Sequence, residues 1–335
     1  MFIKTGTITL ITKFDTLLKM SKNVSLSSGK SRFYVICSAI YCLYKFGAIF
    51  TEYQAFDFIR RTNENRATFV TVLWLLKILK RYNPQEFRDV FHDKRKFDKE
   101  FAEFIKRDSM NITTCDDKLN IFLDKHKKIV LKKSRGCSGK QIYVSKDTDT
   151  KESIIELIQK EHFDLIEEAI INCKEIKRLN PTSLNTIRIV TFRDGTYFKV
   201  LCACLRIGAV GSSVDNVSCG GTAARINLST HKLDSKFFAN SYRECENSQS
   251  GRDEIGMLIP YWNEVVEMAE RASLKVPQIH YVGWDIAITD KGPVMIEGNE
   301  SFHTDVMQFY ASVNEHGLKT IFDETLNHIS QNNEK

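Results

Sequence analysis

Between Val282 and Asn299 large apolar residues alternate with small or polar ones on either side of Thr289-Asp290-Lys291-Gly292-Pro293. A period of two broken by a glycine-containing turn constrains this stretch to an antiparallel hairpin. A three-residue loop, Asp290 to Gly292, puts glycine at the left-handed position such loops require. Thr289 then pairs with Pro293, and the continued register sets Asp285 directly opposite Glu297. Asn299 follows two residues on, on the same face. The other face carries Trp284, Ile286, Ile288, Val294 and Ile296, a core signature.

Two carboxylates so placed have their β-carbons roughly 5 Å apart. They repel unless a cation or a proton lies between them. Oxygen donors of this kind suit magnesium held together with substrate phosphates. A solvated polar strand face and a carboxylate pair sharing a proton are the other two readings, and neither accounts for Asn299 as well as a metal does.

Upstream, Val130-Leu131-Lys132-Lys133 leads into the small-residue loop Ser134 to Lys140. Gly136 and Gly139 let backbone amides approach an anion, and Lys132 and Lys140 supply charge. The loop is not a P-loop, because Gly136 stands too close to Gly139-Lys140 and Gln141 replaces the hydroxyl residue. Glu167-Glu168 forms an acidic pair at the end of a strand, and a solvated helix start would look the same. Arg188 lies on one strand and Arg206 closes the next, near the polar run Gly211 to Asn216 and Gly220-Gly221. Paired arginines beside such a loop suit the clamping of an anionic group; salt bridges to neighbours are the plain alternative.

Before about residue 128 the chain reads as mostly helical. Asn65–Tyr82 is expected to form one long helix ended by Asn83-Pro84. Lys96–Arg107 places Phe97, Phe101, Phe104 and Ile105 on one stripe. Beyond it, strands are expected at 129–132, 141–145, 163–167, 186–193, 197–206 and 223–228. Helices are expected at 151–160, with Asp149 as its cap, at 259–272 and at the C-terminus. The 335 residues are 42% hydrophobic and 27% charged, an ordinary globular balance.

Nine cysteines with no CxxC pair argue against a zinc site or a disulfide framework and favour a reducing, cytoplasmic setting. No cleavable signal peptide is evident. The most apolar segment, Phe33 to Phe50, is interrupted by Lys45 and falls short of the roughly 20 residues a spanning helix needs. It is expected to be a core helix, with peripheral membrane contact as the alternative. The net charge of +6 comes with basic clusters at 93–96 and 125–128 that read as solvated faces, and no pattern supports nucleic-acid binding.

The order of these pieces resembles ATP-grasp enzymes, and most of all the sugar-transfer-associated ATP-grasp family. The phrases SLNTIRIVT, LRIGAVGSSVDN followed by a glycine pair, and VGWDIAITDKGPVMIEGN carry the likeness. It covers about Tyr53 to Gln308. More distantly the chain is similar to D-alanine–D-alanine ligase and to glutamate ligases that modify protein tails. The resemblance implies an α+β, ATP-grasp fold in which two subdomains sandwich ATP. An N-terminal, mainly helical region (1–110) would precede a catalytic domain (111–335), with a small subdomain at about 128–168 and a large one at about 169–320.

It further implies that Lys132 contacts phosphate, that Ser138, Gly139 and Lys140 cover the β- and γ-phosphates, and that Glu167, Glu168 and Ile170 line adenine and ribose. Asp285, Glu297 and Asn299 would hold one or two magnesium ions, for which manganese can substitute. Arg188 and Arg206 would be catalytic, and Asp215, Asn216, Gly220 and Gly221 would lie near the acceptor. Two departures bear on the acceptor end, Asn172-Cys173 and Asn247 to Gly251, and after the metal asparagine Glu300-Ser301-Phe302-His303 also stand where the family carries other residues. The implied activity is an ADP-forming carboxylate–amine ligase working through an acyl phosphate in cell-surface polysaccharide biosynthesis or modification. Its substrates would be a small-molecule or saccharide carboxylate and an amine. Its location would be cytoplasmic or the inner face of the membrane, with a membrane or a glycosyltransferase as associate. A phosphotransferase acting on a hydroxyl and a non-catalytic nucleotide-binding protein are the rival readings.

Overall fold

Local pattern makes the helices and strands, but long-range partners decide where several of them stop. The computed structural model describes residues 14–135, 142–209, 211, 220–239, 244–245, 254–308 and 314–333. The chain divides into two units, one from Met1–Arg81 with His303–Lys335 and one from Tyr82–Phe302.

In the first unit helices α1 (Phe14–Ser28), α2 (Arg32–Phe46), α3 (Phe50–Ala55), α4 (Asn63–Arg66) and α5 (Val72–Tyr82) precede the C-terminal helix, Lys319–Asn333. Ser31 caps α2 by accepting from Tyr34 N, and Gly47 ends it at φ +70°. The single helix expected over Asn65–Tyr82 is two helices with a break at 67–71. The break has a tertiary cause. The Gln308 side chain accepts from Val70 N and donates to Val70 O, each at 2.9 Å. Lys319 N donates to Thr68 O at 2.8 Å. These bonds satisfy backbone groups that a continuous helix would have paired internally. Among the described residues no helix is long and apolar enough to cross a membrane.

The second unit begins with α6 (Asp89–His92), α7 (Lys94–Glu100) and α8 (Ala102–Ile105). The stripe of Phe97, Phe101, Phe104 and Ile105 is buried as expected. The helix carrying it is interrupted at Phe101 and ends at Lys106, which takes the left-handed conformation with φ +48°. Asp93, expected on a solvated face, is buried: it caps α7 through Arg95 N and pairs with Arg95 and Arg135.

A four-stranded antiparallel sheet follows, in the order β1 (Ser109–Asn111), β4 (Leu165–Glu168), β2 (Ile129–Lys132), β3 (Ile142–Val144). Helices α9 (Asp117–Lys125) and α10 (Lys151–Glu161) pack Leu119, Phe122, Ile154 and Ile158 against Ile129, Leu131 and Ile166. Thr150, not Asp149, caps α10, exchanging bonds with Ser153. Asp149 instead accepts from Lys146 N and the Tyr143 hydroxyl, both at 2.7 Å.

The short helix α11 (Lys174–Lys177) leads to a larger antiparallel sheet, ordered β11 (Gly292–Asn299), β10 (Tyr281–Thr289), β5 (Thr186–Asp194), β6 (Tyr197–Ile207), β7 (Thr222–Arg225), β8 (Phe237–Ala239), β9 (Glu244–Cys245). One face packs Ile187, Ile189, Ala203, Leu205, Trp284, Ile286 and Ile288 against α7, α8 and α12 (Trp262–Ser273). Alternation therefore sends Arg188, Arg206 and Asp285 to the other face.

Candidate active site

The hairpin keeps its expected pairing by an unexpected route. Gly292 is left-handed, with φ +99°, but stands opposite Thr289, so Ile288 pairs with Pro293 and Ile286 with Met295. A bulge then leaves Ile296 without a partner and restores the register, so that Asp285 faces Glu297 and Gly283 faces Asn299. Met295, fully buried, takes the core position expected for Ile296, which is half-buried at the bulge.

On the neighbouring strand Arg188 stands directly opposite Asp285. Arg188, Asp285 and Glu297 thus form one row across three adjacent strands, with Arg206 on the same face of the fourth. Arg188 grips Asp285 with both Nε and Nη2, the second at 2.7 Å, and Arg206 Nη1 reaches Asp285 Oδ2 at 2.8 Å. Asn299 Nδ2 donates to Glu297 Oε1 at 3.2 Å. Burial would raise the Asp285 carboxyl, but the two guanidiniums outweigh it and hold the group well below the usual carboxylate range. Glu297 moves the other way: burial raises it, and the charge of Asp285 across the ladder raises it further.

This donor set fits a hard divalent cation. It offers two carboxylates and an amide oxygen on one sheet face, the hard oxygen donors such an ion takes. The arginines occupy both Asp285 oxygens, yet each carboxylate oxygen has a second lone pair.

A second cluster lies on the four-stranded sheet. Lys132 Nζ donates to Glu167 Oε2 at 2.6 Å, and Arg107 Nε donates to the same oxygen at 2.9 Å. Burial raises Glu167, but Arg107 and Lys132 together bring it down to about 2. Glu167 Oε1 is buried with no hydrogen-bond partner. The adjacent Glu168 turns to the opposite face, where its carboxylate accepts from Asp108 N at 3.3 Å, near His126. Ile170 follows, half-buried, after Ala169 N donates to Lys128 O.

Arg107 is the residue that sequence reasoning missed. Besides Glu167 it donates to Met295 O at 2.8 Å, and Asp98 lies 3.7 Å away. It is within electrostatic reach of Glu297 as well. At the end of a basic, amphipathic helical pattern it reads as a solvated last-turn cation. Only the left-handed turn at Lys106 points it inward.

Of the expected acceptor segment, the structure describes the residues that lead into it and the glycine pair that follows. Asn180 Nδ2 donates to the carbonyls of Gly208 and Ala209, at 2.9 and 3.2 Å. Gly220 returns with φ +96° and Gly221 is buried. Asn172, one of the departures from the family pattern, is a brace: it bridges both backbone groups of Asn185 and donates to Ile288 O. Ser138, Gly139, Lys140, Asp215 and Asn216 lie outside the described residues.

No curated protein matches the chain. Among solved structures it is similar to N5-carboxyaminoimidazole ribonucleotide synthetase purK in its ADP complex, at 8% identity and TM-score 0.43, over 65% of this chain and 46% of that one. It is also similar to the ATP-grasp ligase PsnB complexed with a precursor variant, Mg and ADP (14%, TM-score 0.44, 73% and 61%). A third likeness is to D-alanyl-alanine synthetase A from Vibrio cholerae (11%, TM-score 0.43, 72% and 66%). The chain spans about half to two thirds of the length of these structures. The sequence profile of the sugar-transfer associated ATP-grasp family matches residues 77–328, three quarters of the chain, and the protein belongs to that family.

Proposed function

We propose that the protein is an ATP-dependent carboxylate–amine ligase. The observation that carries this reading is the row Arg188, Asp285 and Glu297, with Arg206 beside it, which sets two cations against two carboxylates on one sheet face. Such a face can accept a polyphosphate together with its counter-ion.

ATP enters as substrate. Its γ-phosphorus leaves the bridging oxygen of ADP and bonds to a carboxylate oxygen of the acceptor. The amine then attacks the acyl carbon, inorganic phosphate departs, and the nitrogen loses a proton to give the amide. Asp285, Glu297 and Asn299 would hold magnesium, which neutralises phosphate charge when bound. Arg188 and Arg206 donate to the oxygens on which charge spreads, and Asp285 fixes both guanidiniums for that task. Lys132 and the segment with Ser138, Gly139 and Lys140 contact the phosphates, while Glu167, Glu168 and Ile170 border adenine and ribose. Asp215, Asn216, Gly220 and Gly221 border the acceptor, which the family name suggests belongs to a cell-surface saccharide pathway.

The test is a screen of carboxylates and amines with ATP and magnesium, following ADP and free phosphate separately and identifying products by mass. Amide, ADP and phosphate in equal amounts support the ligase. Phosphate retained on a hydroxyl acceptor makes the protein a phosphotransferase. Magnesium-dependent ATP binding without turnover on any pair makes it a nucleotide-binding protein.

A further inference from the structure

Helix α2 has two faces of unlike character. Val35, Ala39 and Cys42 are fully buried, against α1 and α3. The opposite face carries Phe33, Tyr34, Cys37, Ile40, Tyr41 and Tyr44, at the three- and four-residue spacing that brings side chains to one side. Phe33 is 79% exposed, Ile40 49% and Tyr44 93%. An aromatic face of this kind on a helix without any acidic residue is unusual for a solvated surface.

The stretch of sequence that carries it is one-sided in charge. Residues 1–50 hold seven lysines and arginines against the single acid Asp15, which equals the whole +6 of the chain. Lys30 lies over the Tyr34 ring at 5.9 Å, and Lys45 lies over the Tyr41 ring at 5.3 Å while donating to the Tyr41 hydroxyl at 2.8 Å. Tyrosine and phenylalanine flanked by lysine suit the boundary between lipid headgroups and acyl chains. A protein partner would have to supply both an apolar groove and a ring of acids. An anionic bilayer supplies both without a specific fit.

We propose that the Phe33–Ile40–Tyr44 face of α2, with Lys30 and Lys45, docks the protein on the surface of an anionic membrane. Since no described helix can span, the contact is interfacial: the helix lies along the surface with its rings among the headgroups. This inference is independent of the reaction assigned above.

Co-sedimentation of the full chain with vesicles tests it. Vesicles of phosphatidylcholine with about a third phosphatidylglycerol should bind the protein, more weakly as salt is raised, and vesicles of phosphatidylcholine alone should bind it far less. The triple substitution Phe33→Ser, Ile40→Ser, Tyr44→Ser should weaken binding at least about tenfold, with unchanged circular dichroism and ATP binding. The pair Lys30→Gln, Lys45→Gln should weaken it by about fivefold per charge, and it serves as the probe if the triple variant fails to fold. Absence of binding to anionic vesicles overturns the proposal, as does undiminished binding by both variants. Light scattering that finds a dimer dissolved by the triple substitution would assign the face to a second copy instead.

Discussion

Arg107 and Glu167 form a buried ion pair, 2.9 Å from Nε to Oε2, and the same guanidinium reaches the Met295 carbonyl at 2.8 Å. One side chain thus joins the carboxylate beside Lys132 to the strand that carries Glu297 and Asn299. Removing it leaves Glu167 buried with Lys132 as its remaining cation. Arg107→Met should cost about 3–5 kcal/mol, the usual result of breaking a buried pair from one side. Urea unfolding measures this, and a loss below about 1 kcal/mol would show that the guanidinium is dispensable. Because Glu167 is held down to about 2 from a reference of 4.5, the pair's contribution is present above the reference and is lost as pH falls through the lower value.

Glu297→Gln keeps the shape of the side chain while removing a carboxylate from the row. Turnover should fall at least about a hundredfold, and the magnesium concentration for half-activity should rise. The thermal midpoint should hold, because a neutral amide beside Asp285 removes a like-charge contact. Full activity in this variant would refute the metal assignment.

Gly283 pairs with Asn299 and has no room for a methyl group: a β-carbon there would lie 2.9 Å from Phe302 Cβ and 3.3 Å from Arg188 Cδ. Gly283→Ala should destabilise by about 1–3 kcal/mol through overpacking. It should also displace Arg188 and so lower kcat more than stability alone explains. Kinetics at a temperature where the variant stays folded separate the two effects.

In the first unit Glu52 accepts from Ile49 N and Val72 N, yet burial, helped by Asp305, pushes its carboxyl up to about 8. A raised folded pKa means that the native state holds a proton the unfolded chain releases above 4.5. Stability is therefore full below that value and declines as pH rises through about 8. The thermal midpoint should drop by several degrees over this window. Glu52→Gln should flatten the decline while losing one of the two backbone contacts. An equally steep fall in the variant would assign the pH dependence to another group.

The site residues differ in how far local pattern reveals them. Asp285, Glu297 and Asn299 are readable because a period of two, a turn glycine and an apolar opposite face all act within eighteen residues of chain. The details behind that reading moved: Gly292 rather than Pro293 closes the ladder, and the bulge at Ile296 makes up the missing residue. Arg188 is readable as a strand arginine, but its place opposite Asp285 needs β5 and β10 to pair across 97 residues of sequence.

Other features had no local signal at all. The break between α4 and α5 depends on Gln308, 238 residues from Val70. The inward turn of Arg107 is answered by Met295, 188 residues away. By itself the sequence determined the family, the alternating strands and the carboxylate row, since each follows from neighbours along the chain. Only the tertiary structure decided where helices stop and which buried cation meets which carboxylate, because those outcomes depend on groups that become neighbours when the chain is packed.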